Sequence, residues 1–457
     1  MVITELRQKH PRFVYESYDL NRRDNGLNVQ FHFTLEPNIN FTPSVSIPIV
    51  EGMNERGIEN FAFHLGLIEA VSYWKVACPQ ELFVKAGNLT DHQIEWWHDL
   101  FIHGLGELYY KNGIDFTPTD FLSITSNRDH APLSAVASTS AAGDLIMVGG
   151  GKDSAVTLEV LGETEMRRKA LVLTPIQSAL DNARVAGYED PIVVQRTMDP
   201  VLLDLNKQGY INGHTPFSAY LGFLGVFVAS LNDFENVIVS NERGATEGNV
   251  MYRGMEINHQ YSKSTQFEKL FREYSAKYLS ENIQYFSFLR PLYDLQVSRL
   301  FSAYATEHDE TFRSCNSGQK ENAWCGNCAK CAFVYLSLFP FIPSDRMKNI
   351  FGDDYFRRAK IGEFITDLVG LGENKPFECV GTIDESKLAV ALSIEKYRRE
   401  GVDVPPLLLN LEQKLGISEE TTVQDLQRRL SEEWGDDSSL PPTYVHILKD
   451  ALRKGLK

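Results

Sequence analysis

Apolar and polar positions follow one pattern in the first third of the chain and a different one beyond it. Alternating and β-branched residues at 27–35 and 44–50 predict two strands. Apolar residues at helical spacing predict helices over 59–79 and 92–113. Residues 1–135 are therefore predicted to form an N-terminal α+β module of their own.

Beyond this module the pattern switches to short apolar runs that alternate with helical segments. The predicted strands, which share β-branched apolar residues, are 144–150, 169–176, 191–198 and 236–242. This alternation is typical of an α/β fold, a doubly wound parallel sheet whose ligands bind beyond the carboxyl ends of the strands. We expect this domain to span residues 140–345, followed by a mostly helical C-terminal segment at 346–457.

Composition and charge argue against several classes of protein: nucleic-acid-binding, secreted and membrane-spanning proteins. The 457 residues are 43% hydrophobic and 23% charged, which is ordinary for a soluble globular protein. The net charge of −16 argues against broad nucleic-acid binding, because such binding needs a basic surface. The N-terminus does not resemble a secretory signal, and the longest apolar run, 218–231, is too short to span a bilayer. We therefore expect a cytoplasmic protein with neither nucleic acid nor membrane as a partner.

A glycine-rich stretch, "MVGGGKDSAVTLE" at 147–159, joins the first of these strands to a helix. Gly149, Gly150 and Gly151 lack Cβ, so the backbone can adopt positive φ and approach a ligand closely. The N–H groups that open the following helix point to the same place, and Lys152 and Ser154 add a charge and a hydroxyl. This arrangement predicts a phosphate site; a tight turn without a ligand is the structural alternative.

The same stretch resembles the S-G-G-x-D-S loop of the PP-loop ATP pyrophosphatases. Gly150, Gly151, Asp153 and Ser154 fall on that motif, whereas Gly149 stands where the family has a serine. The resemblance implies a PP-loop (HUP-like) fold with ATP as the cofactor, cleaved to AMP and pyrophosphate. It also implies that the loop holds pyrophosphate and that Asp153 holds Mg²⁺, directly or through water.

Two later segments supply further candidates for this nucleotide site. Asn241, Glu242 and Arg243 follow a predicted strand in "SNER", where they would face the nucleotide or an activated carboxylate. A helix-capping turn is the alternative for this segment. The stretch "FLRPLYDLQVSRLF" at 288–301 is similar to a later segment of the PP-loop enzymes, and Arg290 within it would reach a phosphate bidentately.

Four of the six cysteines crowd into one short stretch: Cys315, Cys325, Cys328 and Cys331. Thiolates at this spacing can close a tetrahedral shell around Zn²⁺. We expect structural zinc; an iron–sulfur cluster and unligated buried thiols are the alternatives. A comparable site follows the PP-loop domain in 7-cyano-7-deazaguanine synthase, which makes that family a second resemblance.

Longer stretches resemble another family, the ATP-dependent UDP-N-acetylmuramoyl-L-alanyl-L-glutamate epimerases of peptidoglycan synthesis. The matching segments run in order over about residues 10–390 and include "EAVSYWKVACP" (69–79), "NHQYSKSTQFEKLF" (258–271) and "KPFECVG" (375–381). The resemblance implies an enzyme that inverts the terminal L-glutamate of UDP-MurNAc-L-Ala-L-Glu to D-glutamate. It further implies an acyl-adenylate, formed from ATP with Mg²⁺, in which the α-proton becomes removable, and the release of AMP and pyrophosphate.

Such a reaction needs a proton carrier on each face of the glutamate α-carbon. Cofactor-free epimerases often use thiols, and Cys78 and Cys379 are the two cysteines outside the four-cysteine stretch. His259 and Lys263 stand four residues apart, so on a helix they would share one face and act together on phosphate or as proton carriers. The predicted catalytic residues are Lys263, His259, Cys379, Cys78, Arg243 and Glu242, with His214, Lys75 and Glu378 as further candidates.

Two other functions fit parts of the same pattern. A PP-loop synthase would adenylate another carboxylate or a nucleobase and then transfer ammonia or sulfur to it. A nucleotide-sensing scaffold would bind the nucleotide without turnover, although Asp153, Ser154, Arg243 and Lys263 together argue for chemistry.

Overall fold

The computed structural model describes residues 2–23, 26–48, 54–137, 142–318, 321–417, 424, 428, 433–435 and 439–455. Within these ranges, no helix combines the length and the apolar character needed to cross a membrane.

The elements of the first part of the chain are α1 (Ile3–Lys9), β1 (Arg12–Arg23), β2 (Gly26–Leu35), β3 (Ile39–Phe41), β4 (Ser44–Pro48), α2 (Ile58–Trp74), β5 (Glu81–Val84), α3 (Asp91–Gly104), α4 (Gly106–Lys111) and β6 (Ser123–Ser126). The capping residues follow the local sequence. Thr90 Oγ1 accepts a hydrogen bond from the backbone N–H of Gln93, and the Gln93 side-chain oxygen accepts one from the backbone N–H of Thr90, so α3 begins there.

The elements of the middle part are β7 (Asp144–Met147), α5 (Lys152–Gly162), β8 (Arg168–Leu173), α6 (Gln177–Val185), β9 (Ile192–Thr197), α7 (Pro200–Lys207), α8 (Phe217–Leu231), β10 (Asn236–Val239), β11 (Val250–Tyr252), β12 (Met255–Ile257), α9 (Thr265–Tyr278), β13 (Gln284–Ser287), α10 (Asp294–Tyr304) and α11 (Ala329–Leu338). The C-terminal helices are α12 (Ser344–Phe351), α13 (Ala359–Leu368), α14 (Ile383–Glu400), α15 (Pro406–Leu415) and α16 (Pro442–Lys454).

One mixed sheet holds most of these strands, in the order β13-β10-β7-β8-β9-β4-β2-β1-β5-β6, with β3 paired to β2. The strands from β13 to β9 are parallel to one another. β4 then pairs antiparallel with β9, which links the predicted N-terminal module to the parallel part. The sheet therefore continues across the predicted boundary between the first two domains.

The parallel strands separate two apolar cores, because successive side chains of a strand point to opposite faces. Leu145 and Leu171 enter the core that also contains residues of α8. Ile146 and Val172 enter the other core, with residues of α5, α10 and α11. The predicted α/β class, with a mostly parallel sheet and C-terminal helices, is confirmed.

Two local predictions differ from the structure. The predicted helix over 92–113 is divided at Leu105 into α3 and α4. Both flanking glycines pack closely on neighbours: a Cβ at Gly104 would lie 3.0 Å from Pro216, and one at Gly106 would lie 3.2 Å from Ile257. The predicted helix over 59–79 already ends at Trp74.

Candidate functional site

A cavity of about 450 Å³ opens at the carboxyl ends of the parallel strands. Met147, Leu173 and Val239, the last residues of β7, β8 and β10, line it. Ligands of α/β proteins bind at this edge of a parallel sheet, so the cavity is the candidate site. The predicted site residues that line it are Gly149, Gly151, Asp153, Ser154, His214, Asn241, His259, Lys263 and Cys379.

The glycine loop between β7 and α5 forms one wall of this cavity. Gly150 has φ +82°, and a Cβ there would collide with Ser178 Oγ, so only glycine fits without strain. Gly149 is exposed, and a Cβ there would meet nothing within 4 Å. Gly151 is the N-cap of α5, and its carbonyl accepts a 2.9 Å hydrogen bond from Ser154 Oγ. The loop presents backbone and the positive end of a helix dipole, which suits an anion.

Lys152 turns away from the cavity into the protein interior. Its Nζ lies 2.6 Å from Asp153 Oδ1 and 3.1 Å from Asp294 Oδ2, and its side chain is 2% exposed. Although burial lowers it, the two carboxylates raise the pKa of Lys152 above its ordinary value. Lys152 therefore holds the base of the glycine loop, and its predicted contact with phosphate stays a prediction.

A smaller cleft of about 20 Å³, enough for one water molecule, shares several residues with the cavity. Asp153, Glu242, Asp294 and Cys379 are among the residues that line it. Burial raises the pKa of the Glu242 carboxyl well above its usual range, and the charges of Glu385, Asp294 and Asp153 add to the rise. Although burial opposes this shift, the charges of Lys152 and Lys330 lower the pKa of Asp153, so the cleft combines a carboxyl that favours its protonated form with one that favours its ionised form.

Cys379 is the thiol that faces the cavity. Lys263 Nζ lies 3.1 Å from its Sγ, His259 Nε2 lies 3.9 Å from it, and Lys330 donates a hydrogen bond to the Cys379 carbonyl. Although burial raises it, the charges of Lys263, His259 and Lys330 lower the pKa of Cys379 to about 5. The side chain is therefore a thiolate at neutral pH, which is the form that accepts a proton.

His259 connects this thiolate to a buried carboxylate. Its Nδ1 contacts Glu107 Oε2, and Glu107 in turn forms an ion pair with Lys111. Although burial lowers it, the Cys379 sulfur and the Glu107 carboxylate raise the pKa of His259 to about 9. Cys379 and His259 consequently form a thiolate–imidazolium pair. The ring of His214 packs on His259 with centroids 4.2 Å apart.

Arg290 and Arg243 are predicted site residues that lie outside the cavity lining. Arg290 is 2% exposed, and its guanidinium donates hydrogen bonds within the protein. The acceptors are Glu268 at 2.9 Å, the Glu242 carbonyl at 2.9 Å and the Lys263 carbonyl at 2.6 Å. Arg290 therefore fixes the backbone of two candidate residues. Arg243 lies over the ring of Tyr293, 4.7 Å from its centroid.

The other thiol candidate, Cys78, is fully buried, and its Sγ donates a 3.3 Å hydrogen bond to the Lys75 carbonyl. Burial raises the pKa of Cys78 to about 12, so the side chain stays protonated. Lys75 itself donates a 2.6 Å hydrogen bond to the carbonyl of Gly213, next to His214. Glu378 accepts a 2.9 Å hydrogen bond from Asn316. The structure does not bring Cys78, Lys75 or Glu378 to the cavity lining.

The four clustered cysteines converge on one point. The sulfurs of Cys315, Cys325, Cys328 and Cys331 all lie within 4.8 Å of one another. Two of the separations are 3.9 Å (Cys315–Cys328) and 3.7 Å (Cys325–Cys331). Zn–S bonds of about 2.3 Å in a tetrahedron place sulfurs about 3.8 Å apart, so the set fits a tetrahedral metal ion.

Sequence reasoning missed several residues of the site. Ser314 and Asn316 flank Cys315, Lys330 precedes Cys331, and all three line the cavity, as does Arg313. Their position next to the four clustered cysteines could have indicated them as site residues, because a closed metal–ligand shell fixes the backbone on either side of each thiolate. Glu107 carried no such signal, since its contact with His259 joins residues 152 positions apart.

Comparisons with known proteins agree on one family. The family described as "MurL N-terminal domain" matches residues 4–288, and the family described as "MurL C-terminal domain" matches residues 311–423. Two curated relatives each carry the name UDP-N-acetyl-alpha-D-muramoyl-L-alanyl-L-glutamate epimerase. The Micromonospora protein is 36% identical over 350 residues, covering 73% of this chain and 74% of its own. The Xanthomonas oryzae protein is 33% identical over 354 residues, covering 75% and 76%.

A relative of the same name from Salinispora tropica is 33% identical over 332 residues, which is 72% of each chain. Together these matches include the glycine loop, the four-cysteine stretch and the segment of Cys379, since the two domain matches span all three. This chain belongs to the MurL family.

Proposed function

We propose that this chain is an ATP-dependent epimerase that inverts the terminal L-glutamate of UDP-MurNAc-L-Ala-L-Glu to D-glutamate in peptidoglycan precursor synthesis. The three relatives named for this reaction support the substrate. The observation that carries the chemistry is that one cavity holds both an anion-type glycine loop and the Cys379 thiolate. The glycine loop would bind the phosphates of ATP, and the thiolate would accept the α-proton.

The glycine-loop side of the cavity fits a nucleotide of the kind that PP-loop enzymes bind. The backbone of Gly149 and Gly151 and the hydroxyls of Ser154 and Ser314 would hold pyrophosphate oxygens, and Lys330 would add a positive charge. Asp153, which lines both the cavity and the cleft, offers carboxylate oxygens to Mg²⁺. Asn241 lies two residues beyond the end of β10, lines the cavity and would contact the nucleotide or the acyl group.

The reaction needs ATP because the α-hydrogen beside a carboxylate is very hard to remove. Transfer of AMP to the glutamate carboxylate, with loss of pyrophosphate, gives a neutral acyl group beside which a carbanion can be stabilised. The Cys379 thiolate then accepts the α-proton, and the resulting enolate accepts a proton on its opposite face. Water finally attacks the acyl carbon, which releases AMP and the D-glutamyl carboxylate.

Lys263 and His259 are the two cations beside Cys379, and we assign the remaining acid–base roles to them. Lys263 and His259 both carry a positive charge next to the sulfur, so they hold it as a thiolate and offer protons in its neighbourhood. A second thiol is absent from the cavity lining that the structure describes, so we infer that the proton returned to the opposite face comes from a nitrogen acid. We propose Lys263 or His259 as this acid, because both line the same cavity and carry a proton on nitrogen.

We propose that the four-cysteine cluster holds structural Zn²⁺. The sulfur separations of 3.7 and 3.9 Å match a tetrahedral zinc–thiolate shell. The backbone N–H of Gly318 donates to Cys315 Sγ at 3.2 Å, and the N–H of Cys331 donates to Cys328 Sγ at 3.4 Å. Such N–H donors stabilise thiolate charge in a closed metal site.

Incubation of the protein with ATP, Mg²⁺ and UDP-MurNAc-L-Ala-L-Glu in heavy water tests the proposal. We expect AMP and pyrophosphate to form and deuterium to enter the glutamate α-position as D-glutamate appears. Epimerisation without AMP would contradict the ATP-dependent mechanism. Amidation of the peptide would favour a PP-loop synthase, and ATP binding without release of pyrophosphate would favour a nucleotide-sensing scaffold.

A further inference from the structure

We propose that Glu107 is a positioning residue of the epimerase, which orients His259 so that a protonated Nε2 faces the Cys379 sulfur. This inference rests on the proposed function, because it assumes that Cys379 is the proton acceptor. It assigns a role to a residue that stands outside the cavity lining and that the sequence pattern did not single out.

The fold holds the Glu107 side chain in a buried position where it contacts His259. Its side chain is 5% exposed, and its two oxygens divide between His259 Nδ1 and Lys111 Nζ. The break between α3 and α4 places Glu107 in the first turn of α4. Gly106 lets α4 approach Ile257, two residues before His259, since a Cβ there would already lie 3.2 Å from the Ile257 side chain.

The contact determines which ring nitrogen faces the sulfur with a proton. An ionised carboxylate accepts only, so Nδ1 of His259 must donate to Glu107. When the ring is an imidazolium, Nε2 also carries a proton and points towards Cys379 Sγ, 3.9 Å away. Glu107 therefore stabilises the ring in its protonated form and directs its second N–H to the thiolate.

The neighbours of the ring support this protonation state. Although burial raises it, His259 and Lys111 lower the pKa of Glu107 to about 2, so the carboxylate stays ionised. Burial and the charge of His259 lower the pKa of His214 to about 3, so the His214 ring, which packs against His259, is neutral. The charged and titratable groups that face the pair are Lys263, Lys330, Glu378, Glu107, Lys111, His214, Lys75 and Asp153.

The pH dependence of Cys379 alkylation by iodoacetamide, followed on the peptide that contains it by mass spectrometry, tests this role without any substrate. For the wild-type protein we expect a midpoint near 5, the pKa of the thiolate. Glu107→Gln should raise the midpoint by at least about one unit, because the imidazolium loses its carboxylate partner. Glu107→Asp should restore part of the shift. A Glu107→Gln protein that unfolds at the wild-type temperature and keeps the wild-type midpoint would overturn the proposal.

Lys111→Met serves as the matched control, since it removes the other partner of the same carboxylate and leaves the His259 contact. We expect its midpoint to stay within a fraction of a unit of the wild-type value. In the epimerisation assay, Glu107→Gln should lower kcat roughly 100-fold. Its KM for ATP should change little. If the alkylation midpoint shifts but no variant, including the wild type, epimerises the peptide, the positioning role stands and the proposed function fails.

Glu107, His214 and His259 also have the composition of a divalent-metal site, and their ligand atoms lie within 4.8 Å of one another. The competing outcome is therefore a bound ion rather than a hydrogen-bonded relay. Metal analysis of the purified wild-type protein decides between them. A metal equivalent beyond that of the four-cysteine cluster, lost in Glu107→Gln, would overturn the positioning role; equal metal content in both proteins supports it.

Discussion

The Lys263 ammonium lies 3.1 Å from the sulfur of Cys379, although 116 residues separate the two along the chain. Lys263 closes a short 3-10 turn, Tyr261–Lys263, and Cys379 precedes α14. The Arg290 guanidinium, itself ion-paired with the buried Glu268, donates a 2.6 Å hydrogen bond to the Lys263 carbonyl and so fixes the backbone from which the ammonium extends. The fold thus maintains a positive charge beside a thiol that must lose its proton to act.

We expect Cys379→Ser to lower the epimerisation rate at least about 100-fold, because serine has no low-pKa conjugate base to accept the α-proton. The formation of pyrophosphate should persist, since the glycine loop and Asp153 are untouched. The two rates are measured on the same samples, with deuterium incorporation for one and pyrophosphate release for the other. Loss of both in parallel would mean that Cys379 acts in nucleotide chemistry instead.

Cys78→Ser is the matched control for that variant. Its thiol is fully buried, has a pKa raised to about 12 and lies outside the cavity lining. We expect the epimerisation rate of the folded variant to stay within about twofold of wild type. A rate as low as that of Cys379→Ser would mean that two thiols share the proton transfer.

The pH profile of epimerisation should be bell-shaped. Acidification protonates the Cys379 thiolate with a pKa of about 5, and high pH deprotonates His259 with a pKa of about 9. We therefore expect kcat/KM for the peptide to be level from about pH 6 to pH 8 and to fall on both sides. A profile that rises through pH 8 to 9, as for an ordinary thiol, would contradict the ion pair.

Neighbouring glycines of the loop should respond differently to substitution. Gly149→Val places its side chain in open space within the cavity, so the fold should persist while ATP binding weakens at least about tenfold. Gly150→Ala, with φ +82° and a clash with Ser178, should instead lower the thermal stability. Gly162→Ala, in open space at the far end of α5, controls for the added methyl group. Calorimetry with ATP and thermal unfolding separate the two effects.

The sequence predicts those parts of the site whose geometry is local. The glycine loop and the four cysteines are read from a few adjacent residues, and both predictions agree with the structure: the loop leads from β7 into α5, and the sulfurs converge. Lys152 and Arg290 show what a sequence cannot predict, since it reveals the charge of a side chain but not which groups that side chain contacts. Both side chains are buried in ion pairs with carboxylates, from Asp294 and from Glu268.

The fold shows the same division. The strands with apolar runs, such as β7 and β10, were predicted because both faces of the parallel sheet are buried. β1 escaped the pattern because charged side chains such as Glu16 and Arg22 interrupt its apolar alternation, although it pairs with both β2 and β5. Long-range pairing, like the contact of Glu107 with His259, depends on how elements pack and leaves no trace in spacing.

The buried pair of Lys152 and Asp294 predicts a large stability effect. Asp294→Asn leaves the Lys152 ammonium, 2% exposed, with only Asp153 as its partner. We expect the free energy of unfolding in urea to fall by about 3 kcal/mol. Asp204→Asn, which breaks the exposed pair with Lys207, should leave the unfolding midpoint unchanged. Equal effects for the two variants would mean that Lys152 is hydrated and not confined by its carboxylates.

Loss of the proposed zinc should weaken ATP binding as well as the local fold, because the cluster supports one wall of the cavity. The backbone N–H of Arg313 donates to the Gly150 carbonyl at 2.7 Å, and Ser314 Oγ accepts from the Lys152 N–H at 3.2 Å. Arg313 and Ser314 directly precede Cys315 in the chain, so both hydrogen bonds depend on where the Cys315 thiolate is held.

We therefore expect one zinc per wild-type chain and none in Cys328→Ser, measured by mass spectrometry of the metal. The variant should also bind ATP at least about tenfold more weakly in calorimetry. Cys379→Ser, which removes a thiol outside the cluster, should retain both the zinc and the affinity. A Cys328→Ser protein that loses its zinc yet binds ATP as tightly as wild type would show that the glycine loop keeps its shape without the cluster, and the link between metal and cavity would be wrong.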